Sequence, residues 1–197
     1  MSIYSKKYRF CFVHIEKNAG TSIRDALSES LKVKHFKSRS YFGPMRGKGG
    51  VTVKEYIDFL GEEEYANHFS FAIVRNPYER MVSWYKYDNF GFDNFEDWIY
   101  HFFSNIKGKQ TDYLKDYSEN IAVDFIGRIE NLQSDFNIIT KRIGVGSITL
   151  KRKNSSKFRL RSSKYLFLNY RDFYTPELRN FVERELKEEL DMFNYDF

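Results

Sequence analysis

The chain has 197 residues, which is enough for one domain with a hydrophobic core and too few for two ordinary enzyme domains with a linker. Hydrophobic residues make up 42% and charged residues 30%, and with three prolines and eleven glycines the composition excludes a disordered or fibrous protein. The net charge of +5 has a local origin, because residues 151–164 carry seven lysines and arginines and no acidic residue. This distribution favours a specific anionic ligand over general binding to nucleic acid or to a membrane surface.

We therefore predict one domain over residues 1–197. The sequence contains no run of about 18 apolar residues, the length that a membrane-spanning helix needs. Its first residues also lack the apolar stretch of a signal peptide. The single cysteine, Cys11, lies within an apolar strand pattern and is predicted to be a core residue.

The first part of the chain has the pattern of a strand, a loop and a helix. The apolar run over residues 8–13 is typical of a buried strand, and residues 21–27 begin with hydroxyl side chains that suit a helix start. A glycine-rich loop with two cations follows over residues 43–50. Residues 52–60 then return to helical spacing, and Gly61 is expected to end that helix.

The same strand-then-helix pattern occurs a second time. A buried strand over residues 69–74 runs into Asn76 and Pro77, which suit the cap and the first turn of a helix. The remaining predicted elements are a helix over 95–103, a short strand over 123–126, a helix over 132–143, and a last helix that Thr175 caps, Pro176 begins and one apolar stripe follows from Leu178 to Phe193. Alternating strands and helices predict an α/β domain with a mostly parallel central sheet, whose ligands bind beyond the carboxyl ends of the strands.

The segment His14-Ile-Glu-Lys-Asn-Ala-Gly-Thr-Ser22 connects the first predicted strand to its helix. Gly20 allows backbone N–H groups to turn toward an anion, Lys17 adds a positive charge, and the helix start adds its positive end. Thr21 and Ser22 add hydroxyl donors. The segment predicts a phosphate-binding loop, although not a Walker A loop, in which the lysine directly precedes the Ser/Thr.

A second candidate lies where the predicted strand over residues 69–74 meets the next helix. Arg75 follows the strand, and Ser83 comes about two helical turns later, on a face that can point the same way. Together these side chains predict a site for a second phosphate.

The two segments resemble motifs of a known family. Residues 12–23 resemble the 5′-phosphosulfate loop of the family 2 (carbohydrate-type) sulfotransferases, and residues 71–85 resemble their 3′-phosphate motif. The resemblance continues in the same order through residues 110–114, 123–136, 153–155 and 174–195. It therefore covers most of the chain.

The resemblance implies a P-loop-type three-layer α/β fold that binds 3′-phosphoadenosine 5′-phosphosulfate (PAPS) and passes its sulfuryl group to an acceptor hydroxyl, commonly on a carbohydrate. It assigns the 5′-phosphosulfate to Lys17, Asn18, Ala19, Gly20, Thr21 and Ser22. It assigns the 3′-phosphate to Arg75 and Ser83, with Arg152 and Lys153 in a basic segment that closes over the nucleotide. Lys17 is also the predicted catalytic cation, because it would stabilise charge on the bridging oxygen as the S–O bond breaks.

The general base departs from the family pattern. Family members often carry a histidine at the start of the helix before the second motif, and that position falls on Gly50 here. His35, upstream of the glycine-rich loop, is the predicted catalytic replacement, and Glu16 is a further candidate. His14 is assigned to loop geometry, and residues 110–114 are expected to form a loop that faces the acceptor.

Two other functions stay open at this point. One is a nucleotide-dependent phosphotransferase on a related P-loop fold, which is weakened because Arg75 stands where an acidic Mg²⁺ ligand is expected. The other is a protein that binds PAPS or its product 3′-phosphoadenosine 5′-phosphate (PAP) without catalysis, since the base at position 50 is missing.

The expected partners and location follow from the leading interpretation. We expect a glycan or another hydroxyl-bearing acceptor, no nucleic acid and no transmembrane segment. No metal site is predicted, because the four histidines are scattered. The expected location is the cytoplasm for the chain as it stands, or the Golgi lumen if the chain is a trimmed piece of an anchored enzyme.

Overall fold

The structure is a computed structural model that describes residues 2–32, 50–106, 108–151 and 168–197, together with the backbone of residues 35–36. The chain divides into two compact units. The first unit comprises residues 1–74 and 110–152, and the second unit comprises residues 75–109 and 153–197. The single domain expected from the sequence stays a prediction.

A five-stranded sheet runs through the described part of the first unit. Its strands are β1 (Ser2–Ser5), β2 (Phe10–Val13), β3 (His35–Phe36), β4 (Phe69–Val74) and β5 (Phe125–Arg128), in the spatial order β3-β1-β2-β4-β5. β4 pairs in parallel with β2 and with β5, whereas β1 is antiparallel to β2 and β3. All strands except β1 therefore run in one direction, which confirms the predicted mostly parallel sheet.

The helices in chain order are α1 (Gly20–Leu31), α2 (Val53–Leu60), α3 (Glu62–Ala66), α4 (Pro77–Tyr85), α5 (Phe95–Asn105), α6 (Gln110–Leu114), α7 (Leu132–Arg142), α8 (Pro176–Glu185) and α9 (Lys187–Phe193). Short 3₁₀ turns cover Ile129–Asn131 and Tyr170–Phe173. Helices α4, α5, α8 and α9 belong to the second unit, and the others belong to the first.

The core of the first unit packs helices against both faces of the sheet. Phe12 of β2 stacks on Phe71 of β4 with ring centroids 5.1 Å apart, and Ile139 of α7 is buried in the same cluster. Cys11 points to the opposite face, because strand side chains alternate, and it is buried as predicted. There the hydroxyl of Tyr56 on α2 donates to the Phe12 carbonyl at 3.0 Å. The sheet flanked by helices confirms the predicted fold class.

The second unit has an aromatic core of its own. Trp84 of α4 and Phe102 of α5 are buried and meet edge to face, with ring centroids 5.0 Å apart. Leu178 and Val182 of α8 complete the same cluster. This packing buries the apolar side of α4 and so determines the direction in which the opposite side of the helix points.

Two predicted caps are confirmed, since Asn76 and Thr175 accept from the backbones of Tyr78 and Leu178. The Thr52 side chain, not predicted as a cap, accepts from the Glu55 backbone in a capping box. α1 begins after Ala19 rather than at the hydroxyl residues Thr21 and Ser22. Pro77 and Pro176 occupy the first turns of α4 and α8. The C-cap of α2 is Gly61, as predicted.

Several elements differ from the sequence expectation. β1, β3 and α3 were not predicted. Residues 110–114, expected to be a loop, form α6, and four of the five are buried. The predicted last helix is divided at Leu186 into α8 and α9. Two helical hydrogen bonds still span this position, from Leu186 N to Val182 O at 2.9 Å and from Leu190 N to Leu186 O at 3.0 Å.

Candidate functional site

The loop between β2 and α1 has an unusual backbone. Lys17 and Ala19 adopt positive φ angles of 70° and 58°, whereas Asn18 between them does not. Non-glycine residues in the left-handed region are uncommon and cluster at functional sites. Alternation of this kind turns successive N–H groups into a concave anion-binding nest. The structure thus gives residues 17–19 the backbone shape of a phosphate-binding loop.

The first turn of α1 is open to an anion. Its cap residue, Ala19, has no side-chain acceptor, and the first turn contains no acidic residue. Each of the other α-helices that the structure describes has Asp or Glu in its first turn. The positive end of the α1 dipole therefore has no acidic partner on the same turn, although the Ser22 N–H already donates to the Ala19 carbonyl at 2.9 Å. This arrangement suits a bound phosphate or sulfate group.

Residue 20 must be a glycine because the imidazole ring of His14 packs against it. A Cβ built at Gly20 would lie 1.9 Å from Cδ2 of His14, so the ring packs directly over the glycine. A side chain here would displace His14 or the helix start. His14 therefore shapes the loop, the role expected from the sequence.

Asn18 anchors the loop to the rest of the first unit. Its buried Nδ2 donates to the Ile73 carbonyl at the end of β4, at 2.8 Å, and to Gln110 Oε1 of α6, at 2.6 Å. The side chain of Asn18 is thus directed into the protein. The backbone of Asn18 is the part that remains for contact with an anion.

The same interior contains Glu16, Tyr113 and Gly50. Glu16 is 2% exposed, and the Tyr113 hydroxyl donates to its Oε2 at 3.4 Å. A Cβ at Gly50 would lie 1.8 Å from the His14 carbonyl oxygen and 2.7 Å from Cε1 of Tyr113. Position 50, where the family histidine was expected, therefore has no room for a side chain in this structure. The backbone of His35 lies in β3, and its side chain is outside the described atoms.

The second predicted phosphate site forms a pocket within the second unit, here named the α4 pocket. It has a volume of about 260 Å³ and is lined by Arg75, Glu79, Val82, Ser83, Lys86, Leu168, Asn169 and Tyr170. Arg75 and Ser83, paired on sequence spacing alone, therefore line one pocket. Lys86 was missed, although its spacing of three from Ser83 places both on one helix face. Asn169 and Tyr170 lie far along the chain and gave no sequence signal.

The charges in the α4 pocket are mixed. Nε of Arg75 donates to Oε2 of Glu79 at 3.0 Å, one helical turn later. Burial, and then the charge of Arg75, lower the pKa of Lys86 from its ordinary value. Nζ of Lys86 also lies 4.8 Å from the ring centre of Phe173. The pocket thus combines two cationic side chains with one carboxylate.

The remaining predicted site residues, Arg152 and Lys153, lie outside the described residues. Their neighbour Lys151 pairs with Glu29 of α1 at 3.1 Å. Within the described ranges, no group of three or more His, Cys, Asp or Glu is arranged to hold a metal ion. Over the same residues, no helix is both long enough and apolar enough to cross a membrane.

Comparison with known proteins adds two findings. A family model described as "Sulfotransferase family" matches residues 1–196, and so spans both compact units. An uncharacterized protein of Archaeoglobus fulgidus is 33% identical to this chain over 95 residues, which cover 44% of this chain and 76% of that protein.

Proposed function

Because the chain belongs to the sulfotransferase family, we propose that it transfers a sulfuryl group from PAPS to an acceptor hydroxyl on a carbohydrate. The observation that carries this proposal is the loop between β2 and α1. There a lysine, a nest of backbone amides and a helix start without an acidic residue meet within residues 17–22. This combination fits the phosphosulfate end of the donor.

In this proposal Lys17, the amides of residues 18–20 and the hydroxyls of Thr21 and Ser22 hold the 5′-phosphosulfate. The bond between sulfur and the bridging oxygen breaks while a bond from the acceptor oxygen to sulfur forms. Negative charge then develops on the bridging oxygen, which leaves as part of PAP. Lys17 stabilises that charge more strongly in the transition state than in the bound donor, and this difference accelerates the reaction.

The α4 pocket takes the 3′-phosphate in this proposal. Arg75 supplies a planar guanidinium that matches phosphate oxygens, and Ser83 supplies a hydroxyl donor. Arg152 and Lys153, which the sequence resemblance assigns to the nucleotide, are its further cationic ligands in this proposal. The two sets of residues match a donor that is anionic at both ends of its nucleotide.

The acceptor proton needs a base, because a neutral hydroxyl is a poor nucleophile. We assign this role to His35, since Gly50 leaves no room for the family histidine. Glu16 is the alternative base, because its buried carboxylate lies on the phosphate loop directly before Lys17. Either group would take the proton as the acceptor oxygen attacks sulfur.

A binding protein without catalysis is the second candidate, and the crowded position at Gly50 favours it. A phosphotransferase is disfavoured for two reasons. Lys17 comes before Gly20, whereas the lysine of a Walker A loop directly precedes the Ser/Thr. Arg75 follows β4, where an acidic Mg²⁺ ligand is expected. Thermal unfolding with PAP, or with ATP and Mg²⁺, distinguishes the nucleotide classes. We expect PAP to raise the melting temperature and ATP with Mg²⁺ to have little effect. Stronger stabilisation by ATP with Mg²⁺ would contradict the proposal.

A further inference from the structure

The α4 pocket contains a carboxylate that competes with any bound anion. Glu79 lines the pocket together with Arg75 and Lys86, and its Oε2 accepts from Arg75 Nε at 3.0 Å. The two side chains are 36% and 19% exposed, so the pair is partly shielded from water. The Nε donor of Arg75 is thus engaged by Glu79 before a ligand arrives.

Lys86 is a second cation beside that pair. It is the C-cap residue of α4 and lies one turn beyond Ser83 on the pocket side. Burial and the positive charge of Arg75 lower its pKa, while Asp172 and Glu79 act in the opposite direction. Two cationic side chains, Arg75 and Lys86, and one carboxylate, Glu79, therefore line the pocket.

A phosphate monoester carries close to two negative charges at neutral pH and offers three acceptor oxygens. Arg75 and Lys86 together match this charge, so Glu79 would be surplus once the phosphate is bound. Arg75 binds phosphate best through parallel N–H donors. A phosphate that uses Nε as one of these donors must displace the carboxylate of Glu79.

We propose that Lys86 is a second 3′-phosphate ligand and that Glu79 is an internal competitor for Arg75, displaced when the phosphate binds. This inference rests on the proposed function, since it takes the α4 pocket as the 3′-phosphate site. Glu79 then lowers affinity for PAP and favours a doubly charged phosphate over weaker anions, because only a strong anion replaces the carboxylate.

Titration calorimetry with PAP and with adenosine 5′-phosphate, which lacks the 3′-phosphate, tests the proposal. Glu79→Gln should raise PAP affinity about threefold to tenfold, since it removes one partly exposed ion pair and one repulsion. Lys86→Met should lower PAP affinity by about tenfold or more, and Lys86→Arg should retain most of it. Affinity for adenosine 5′-phosphate should stay the same in all three variants.

Matched controls separate the local effect from net charge. Glu177→Gln removes an exposed acid from the first turn of α8, and Lys187→Met removes an exposed lysine of α9. Neither should change PAP affinity, and melting temperatures without ligand verify folding. If Glu79→Gln and Lys86→Met leave PAP affinity unchanged, or alter adenosine 5′-phosphate binding equally, the inference is overturned. If wild-type protein binds both nucleotides equally or neither, the proposed 3′-phosphate site itself fails.

Discussion

Lys17 combines a positive side chain with a left-handed backbone, a conformation that costs a non-glycine residue roughly 1–3 kcal/mol. The structure retains this conformation next to a second left-handed residue, Ala19, and holds the loop between them through the side chain of Asn18. Such strain is expected where the backbone must present its amides in one direction. The residue is therefore the centre of the proposed chemistry.

Replacing Lys17 with alanine should lower sulfuryl transfer by about 10²–10³-fold, because the lysine charge acts mainly on the developing oxyanion. PAP binding should weaken much less. Initial rates with labelled PAPS and calorimetry with PAP measure the two effects. Lys6→Ala, which removes an exposed lysine, is the control and should behave as wild type. Wild-type turnover in Lys17→Ala, at an unchanged melting temperature, would refute this role.

Replacing Arg75 with alanine should act on binding instead. Loss of one charge-assisted phosphate contact costs roughly 1.5–3 kcal/mol, or about 10–150-fold in PAP affinity. The variant should also discriminate poorly between PAP and adenosine 5′-phosphate. Arg184→Ala removes an exposed arginine of α8 as a control. Should the ratio of the two affinities stay at the wild-type value, Arg75 is not the 3′-phosphate ligand.

His35→Ala should abolish transfer and leave PAP affinity intact, because a positioned base contributes about 10²–10⁴-fold. The wild-type rate should fall below about pH 6.5, because an ordinary imidazole is then protonated and cannot take the proton from the hydroxyl of the acceptor. Rate profiles between pH 5 and 8, roughly the range in which histidine titrates, measure this. A flat profile, or an active His35→Ala enzyme, would transfer the role to Glu16 or favour binding without catalysis.

At the element scale, the loop after β2 is in close contact with Gly50, which precedes α2. Gly50→Ala should destabilise the protein by roughly 1–3 kcal/mol or more, because its Cβ would overlap the His14 carbonyl. Gly146→Ala is the matched control, since nothing lies within 4 Å of its added Cβ. Chemical denaturation of both variants gives the comparison. Equal stability would show that position 50 tolerates a side chain, and so could accept the family histidine.

Elements with a strong local pattern were predictable from sequence. β4 has the predicted bounds because six residues of mainly apolar character precede Asn76 and Pro77, which specify the next helix. β1 was missed because Ser2–Ser5 has only four residues, in which Ile3 and Tyr4 stand between two serines without a strand period. α6 is a single buried turn and lacks a period to detect. The division at Leu186 leaves the apolar stripe intact, so the stripe could not reveal it.

The candidate site was predictable to a similar extent. Lys17 and Arg75 follow the ends of strands, and Ser83 lies in the second turn of the helix after Arg75, so their places follow from the order of elements along the chain. The role proposed for Lys86 could be recognised only from the structure, because the lowered pKa of its side chain depends on burial and on the nearby charge of Arg75. The inward direction of the Asn18 side chain depends on Gln110, more than ninety residues away.

On the scale of the whole molecule, the family match covers residues 1–196, and the chain has two proposed cationic sites. The loop after β2 belongs to the first unit and the α4 pocket to the second. A donor with anionic groups at both ends of its nucleotide requires two such sites. The composition agrees, since seven positive charges lie in residues 151–164 while the whole chain has a net charge of +5, a distribution that suits a specific anion rather than a polyanion.

Transfer of ³⁵S from labelled PAPS to a panel of glycan acceptors tests the proposed activity, with wild type and Lys17→Ala measured in parallel. We expect wild type to incorporate label into an acceptor and to release PAP in equal amount, and Lys17→Ala to do neither at a comparable rate. If wild type binds PAP but leaves PAPS intact with every hydroxyl-bearing acceptor, the protein is a nucleotide-binding protein and the proposed transfer is wrong.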